Sequence, residues 1–273
     1  MTDENFQGKT VVVTGGASGI GRAILEAFAR QRATGILADV DEEWGAERAR
    51  ILRDQGHDVT FFKADVTREG DVVRLFETIA SRRLGVDILV NCAGVGVHKR
   101  VVDLTEAEWD FQVDVQLKGV FLMCREAARR MIAQGRGGRI INIGSGAAVV
   151  ARVDAGPHCS SKAGVVQLTK VLALELGSYG ITANVVAPGL TDVGPTSRGG
   201  GSTADYQRNF LPEVPLARLA RPEEIADMVL FFASERTGFV TGQLVNVDGG
   251  YSAGKMGIRG THHTTPIRTP PAL

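Results

Sequence analysis

Short runs of apolar, mostly β-branched residues alternate along this chain with segments in which apolar positions recur every three or four residues. A run at 10–13 precedes a helical pattern over 20–32, and a run at 35–39 precedes a charged helix over 42–53. Runs of the first kind predict strands and periodic segments predict helices, because side chains return to one face about every 2 residues along a strand and about every 3.6 along a helix. The rhythm repeats at 59–62, 88–90, 140–143, 182–186 and 244–247. Seven strands that are apolar almost throughout, separated by helical spacing, predict a parallel sheet covered by helices on both faces, an α/β architecture.

No Pro/Ser-rich linker divides these units, and no internal repeat exceeds the alternation itself, so one domain over 1–251 is expected, followed by a tail over 252–273. Two stretches break the rhythm. Residues 190–211 carry Gly199-Gly200-Gly201-Ser202 and no periodicity. A surface loop and a mobile substrate lid both fit, and the position after the sixth strand favours the lid. Beyond Gly250 the chain turns polar and rich in threonine and proline, with His262-His263 and Pro270-Pro271, which suits either a frayed end or a segment docked on a neighbouring subunit.

Composition narrows the function. With 273 residues, 44% of them hydrophobic, and Gly 34, the chain has apolar mass for one large core and many tight turns. Lys+Arg 31 balances Asp+Glu 31 with no basic block, which argues against nucleic acid or a membrane surface and for a small-molecule partner. Cys92, Cys124 and Cys159 are odd in number and lie in apolar or helical context, so reduced thiols are expected rather than disulfides or a zinc site. No apolar stretch approaches the roughly 18 residues of a membrane span, and residues 1–9 are polar, so a soluble, cytoplasmic protein is expected.

Candidate chemistry begins where the first strand ends. Thr14-Gly15-Gly16-Ala17-Ser18-Gly19-Ile20-Gly21 leaves that strand and opens the first helix, so its glycines bring backbone amides close to a pyrophosphate at a helix N-terminus. The candidate contacts are Gly15, Ser18, Gly19, Ile20 and Gly21. Helix–strand packing alone also produces such turns, but Asp39 follows Gly21 at the end of the second strand. A carboxylate there accepts hydrogen bonds from an adenosine ribose and repels a 2′-phosphate, so NAD is expected over NADP. Arg22 lies inside the helix start, and no basic residue replaces Asp39 or directly follows it.

Together with Asn91-Cys92-Ala93-Gly94, Ser145 followed by a His-Cys-Ser-Ser-Lys segment, Pro188-Gly189 and Val247-Asp248-Gly249-Gly250, these residues resemble the classical short-chain dehydrogenase/reductase family over 9–251. The resemblance implies a doubly wound Rossmann fold with a seven-stranded parallel sheet, a nicotinamide cofactor, and oxidoreduction of a small-molecule alcohol or ketone. It also implies a homotetramer or dimer whose faces are helices near 106–134 and 157–179. By the same resemblance Asp65 and Val66 border the adenine, Asn91, Ala93 and Gly94 line the cofactor cleft, and Pro188, Gly189, Leu190 and Thr191 face the nicotinamide.

The family works with an Asn-Ser-Tyr-Lys set. Ser145 and Lys162 match serine and lysine, whereas His158 stands in the tyrosine position and Gln116, within Asp114-Val115-Gln116-Leu117-Lys118-Gly119, in the asparagine position. An imidazole titrates near neutrality, and a nearby Lys162 ammonium favours its neutral form, so His158 is expected to accept a proton and to give a pH–rate profile governed by a group near neutrality. Its nitrogen stops roughly 2 Å short of a phenol oxygen, leaving a gap for water or a larger substrate. Gln116 keeps the amide and adds a methylene, which leaves open whether the two changes compensate.

Three functions fit these residues: an NAD-dependent dehydrogenase/reductase of a secondary alcohol or ketone, a lyase or isomerase on the same scaffold, or a non-catalytic NAD-binding subunit in which His158 only lines the pocket. His98, Lys99, Arg100 and Arg152 form a cationic rim that either favours an anionic or polyhydroxylated substrate or is simply solvated. His57 and His262-His263 are expected at the surface, and no ligand spacing supports a metal at His98 and His158.

Overall fold

Neighbouring residues of the apolar runs serve two different cores. Val11 and Val13 pack into one, and Val12 into the other, because successive side chains of a strand point to opposite faces. The computed structural model describes residues 5–194 and 204–254. Residues 195–203 of the expected lid, and residues 255–273 of the tail with His262-His263, lie outside the described residues.

Seven strands form one sheet: β1 Thr10–Thr14, β2 Thr34–Asp39, β3 Val59–Lys63, β4 Ile88–Asn91, β5 Gly138–Ile143, β6 Ile181–Pro188 and β7 Leu244–Val247. All pairings are parallel, in the order β3-β2-β1-β4-β5-β6-β7. Helices α1 Gly19–Arg30, α2 Glu42–Asp54 and α8 Pro222–Ala233 contribute to the core with Val11, Val13 and Leu37, whereas α3 Glu69–Ser81, α5 Gly119–Gln134 and α6 Gly156–Leu176 close the opposite face over Val12, Ile36 and Leu89. Each large aliphatic side chain taken fully out of water contributes about 1.5–3 kcal/mol, which is how short strands with no solvated face are held. Strand order reverses at β1, which pairs with both β2 and β4, so the chain leaves a crevice beyond the carboxyl ends of these strands.

The structure refines three expectations. The helical run over 106–134 is α4 Glu106–Val113, a π-helical turn at Asp114–Lys118, and then α5. The run over 157–179 is α6 followed by a 3-10 turn at Gly177–Tyr179. The stretch expected as a loop over 190–211 contains the short helix α7 Ala204–Phe210, too brief for its periodicity to register.

Candidate active site

One cleft of about 840 Å³ opens at the crevice. Its floor begins at Gly15, whose φ of +67° suits glycine and whose added Cβ would lie 2.8 Å from the Ala93 Cα. A Cβ on Gly21 would lie 2.1 Å from the Gly15 carbonyl oxygen, so the turn and the helix start close on one another only with glycine. Ser18 caps α1 without a side-chain bond, and the first turn holds no acidic residue, leaving the orphan amides of Gly19 and its neighbours facing the cleft. This is a cradle that fits a dinucleotide pyrophosphate.

The second strand supplies the sugar end. Asp39 Oδ2 accepts the Ala17 N–H at 3.2 Å and Oδ1 accepts the Asp41 N–H at 3.1 Å, which fixes the carboxylate at the cleft wall. Asp65 and Val66 border the same end, and Gly119 lies so close to Val66 that a Cβ would meet its Cγ2 at 2.7 Å. Thr14 Oγ1 accepts the Cys92 and Ala93 N–H groups at 3.0 and 3.1 Å, stitching the end of β1 to the turn after β4. Ala93 and Gly94 therefore line the cleft. Asn91 does not: its side chain turns behind the wall, where Nδ2 donates to Asn142 Oδ1 at 2.8 Å and to Cys124 Sγ at 3.2 Å. Asn142 in turn donates to Thr169 Oγ1 at 2.9 Å, so this buried chain ties β4 and β5 to α6. A strand-end residue with one face to the core cannot also face the cleft, which the short motif alone did not reveal.

Pro188, Gly189, Leu190 and Thr191 form the far wall. A Cβ on Gly189 would lie 2.6 Å from the Asp248 Cα, so this segment and the turn after β7 require one another. Asp248 accepts the Gly250 and Ser252 N–H groups at 2.9 and 3.0 Å, and that turn brings Tyr251 to the cleft. Tyr251 packs on Phe210 with ring centroids 4.6 Å apart, and both line the cleft without having been singled out in the sequence. Phe210 had no available signal, since it ends a helix of seven residues in an aperiodic stretch.

The four reaction-site candidates meet here. Ser145 Oγ, just beyond β5, accepts the Ala147 N–H at 3.1 Å, which leaves its own hydrogen to donate. Lys162 Nζ donates to the Ile143 carbonyl at 2.7 Å, and its burial lowers its pKa to about 8. Gln116 sits in the π-helical turn, a distortion that recurs at functional sites. Its Nε2 donates to the Val95 carbonyl at 2.5 Å, and its Oε1 lies 3.1 Å from His158 Nδ1. Gln112, one turn earlier and fully buried, was not foreseen: it donates to the same Val95 carbonyl at 3.1 Å and accepts the Val97 N–H at 3.1 Å, clamping the loop after β4.

Burial first, then the charge of Lys162, then Arg152 and His98, push the His158 pKa down to about 3. His158 is therefore neutral across the working range, and the expectation that it titrates near neutrality is corrected. Lys162 is the group brought closer to that range. Among the described residues no group of three or more His, Cys, Asp and Glu side chains is placed to hold a metal, and no helix is long and apolar enough to cross a membrane.

Residues 15–252 match the family model described as enoyl-(acyl carrier protein) reductase. A cis-4-hydroxycyclohexanecarboxylate dehydrogenase of Sinomonas cyclohexanicum is 38% identical over 92% of this chain and 99% of its own length. An NAD-dependent glycerol dehydrogenase of Listeria innocua is 35% identical over 92% of this chain and 96% of its own. The crystal structure of a gluconate 5-dehydrogenase from Burkholderia cenocepacia in complex with NADP and tartrate superposes with a TM-score of 0.86 at 31% identity, covering 93% of this chain and 100% of that one.

Proposed function

The chain belongs to the short-chain dehydrogenase/reductase family, and from that premise we propose that it interconverts a secondary alcohol and a ketone with NAD as cofactor and His158 in the place of the family's tyrosine. The hydrogen bond between Gln116 and His158 carries the reading. Gln116 Nε2 is committed to the Val95 carbonyl, so its Oε1 faces His158 Nδ1. An amide oxygen can only accept, which puts the imidazole proton on Nδ1 and leaves the lone pair on Nε2. The added methylene of Gln116 reaches the shorter imidazole, and this supports the view that the two departures from the family pattern compensate.

In the oxidising direction Ser145 donates its hydroxyl hydrogen to the substrate oxygen, and His158 Nε2 accepts the substrate hydroxyl proton as the C=O bond forms and the carbinol C–H bond breaks with its electron pair. A nicotinamide dinucleotide bound in the cradle supplies the acceptor for that hydride, and the donor in reverse. Gly19, Ile20 and Gly21 would hold its pyrophosphate, Asp39 its adenosine ribose, Asp65 and Val66 its adenine, and Lys162 its nicotinamide ribose. Asp39 favours NAD by repelling a 2′-phosphate, in line with the NAD-dependent glycerol dehydrogenase relative and against the NADP of the structural neighbour. Exposed Phe121 on α5 and Val171 and Leu174 on α6 suit burial between copies in a homodimer or tetramer, which we include in the proposal together with a cytoplasmic setting.

The test is NADH formation, by absorbance, over a panel of secondary alcohols with NAD+ and NADP+, for the native protein, His158→Ala and His158→Tyr. Turnover with NAD+ that falls by about a hundredfold or more in His158→Ala is expected, the usual worth of a positioned acid–base group. An unchanged rate in His158→Ala would falsify the assignment of His158. Product without NADH would instead mark a lyase or isomerase.

A further inference from the structure

Of the rim expected over His98, Lys99, Arg100 and Arg152, the structure separates the lysine and the two arginines. Lys99 Nζ donates to both carboxylate oxygens of Glu108 at 3.0 Å, and Arg100 Nε donates to Asp103 Oδ2 at 2.6 Å, so these two are already paired. Arg152 lines the cleft beside His158 and has no carboxylate partner among the described residues. Its Nη1 donates to the Tyr206 hydroxyl oxygen at 2.7 Å. Its Nε is shielded from solvent and has no hydrogen-bond partner among the described residues.

The geometry of the guanidinium makes this informative. A bond through Nη1 leaves free the edge formed by Nε and Nη2, whose parallel N–H groups match the two oxygens of a carboxylate. A buried donor without a partner is unfavourable, and a small turn of the side chain that brings this edge to a ligand oxygen would relieve it. On the Nη1 side of the guanidinium a row of rings begins at Tyr206: Tyr206 and Phe210 are stacked with centroids 5.7 Å apart, and Phe210 meets Tyr251 at 4.6 Å. The substrate end of the cleft therefore offers one cationic fork and an apolar, aromatic flank.

We propose that Arg152 recognises a carboxylate through its Nε and Nη2 edge, so that the substrate is a hydroxy acid, or the matching keto acid, with a ring or similarly flat apolar body against Phe210 and Tyr251. This rests on the oxidoreductase reading only for the placing of the carbinol near Ser145 and His158. The carboxylate site itself follows from Arg152 and the rings.

The experiment uses two ligands that cannot be oxidised, benzoate and its neutral isostere benzamide, titrated calorimetrically at pH 7 into the full chain with NAD+ and, separately, NADP+ present. Native protein is expected to bind benzoate roughly ten- to a hundredfold more tightly than benzamide, the range of a hydrogen bond to a charged group. Arg152→Gln should level the two, and Arg152→Lys, which keeps the charge without the fork, should retain only part of the preference. Equal affinity of the native protein for benzoate and benzamide overturns the proposal, as does a preference that survives in Arg152→Gln with its melting temperature unchanged. The readout needs no turnover: a benzoate preference in a protein that oxidises no alcohol upholds the anion site and strikes only the oxidoreductase reading. Oxidation of neutral alcohols with no benzoate preference strikes the anion site alone.

Discussion

Gln116→Asn is the sharpest perturbation of the site, because it installs the residue that the sequence resemblance leads one to expect there while removing the one methylene that lets the amide reach His158. Shortening the side chain by roughly 1.5 Å carries Oε1 well outside hydrogen-bond range of Nδ1, from its present 3.1 Å. The Val95 carbonyl keeps a donor, since Gln112 also binds it at 3.1 Å, so the loop after β4 is expected to hold. The lost bond amounts to about 1 kcal/mol net, and an imidazole free to drift by about 1 Å can lose on the order of a hundredfold in rate. A drop in kcat/KM of about ten- to a hundredfold is expected, with the melting temperature little changed. His158→Tyr in the native background puts a longer side chain against Gln116, whereas the double variant Gln116→Asn/His158→Tyr lengthens one partner and shortens the other, as in the pair expected from the sequence resemblance. The kcat/KM values of the four proteins, measured by NADH absorbance with one alcohol, should therefore be non-additive by about 1 kcal/mol or more, with the double variant more active than the product of the two single losses. Nitrogen-15 NMR of His158 should report a proton fixed on Nδ1 in the native protein and a tautomer mixture in Gln116→Asn. Losses that multiply to within about 0.3–0.5 kcal/mol would refute the reasoning, because independent sites do that.

Two further outcomes follow from charge. Asp39→Ser removes the carboxylate anchored by the Ala17 and Asp41 N–H groups, and the ratio of kcat/KM with NAD+ to that with NADP+ should fall by at least roughly tenfold; an unchanged ratio would remove Asp39 as the selector. His158, held down to about 3, stays neutral in the folded protein while the unfolded chain takes up a proton below about 6.5, so folding loses stability as pH falls through that window. The penalty is about 1–2 kcal/mol between pH 7 and pH 5, and chemical denaturation of native protein and His158→Gln at both values should show it only in the former.

Much of this fold is written in local pattern. Strands such as Val11-Val12-Val13 need no tertiary information to be recognised, because both faces are apolar and glycine-rich turns bound them. The cradle is equally legible, since steric limits at Gly15 and Gly21 admit no other residue and so leave a mark in sequence. What was hidden depends on direction and distance. Asn91 belongs to a recognisable motif, yet its side chain serves the buried bond to Asn142, 51 residues away, rather than the cleft. Gln116 and His158 each read as a departure, and only the fold shows that residues 42 apart share a hydrogen bond. The His158 pKa departs from the sequence expectation for a related reason: proximity to Lys162 follows from spacing, but burial, the larger cause, does not.

The charge around His158 has a consequence for which substrates suit the site. A cation beside a phenol lowers its pKa by favouring the phenolate, which creates the stronger base; beside an imidazole the same cation disfavours the imidazolium and weakens the base. Lys162 thus helps a tyrosine and hinders a histidine in the same position, and Arg152 and His98 act in the same direction. A carboxylate held on Arg152 reverses part of that effect, because an anion near the ring favours imidazolium and raises its pKa. On the proposed anion site, a hydroxy acid therefore brings with it the charge that makes His158 a better proton acceptor, whereas a neutral alcohol meets the imidazole at its weakest. Replacing Arg152 by Gln removes one of the cations that weaken His158, so KM for a hydroxy acid should rise while kcat at saturation is held or raised; a fall in kcat would refute this account of the charge around His158.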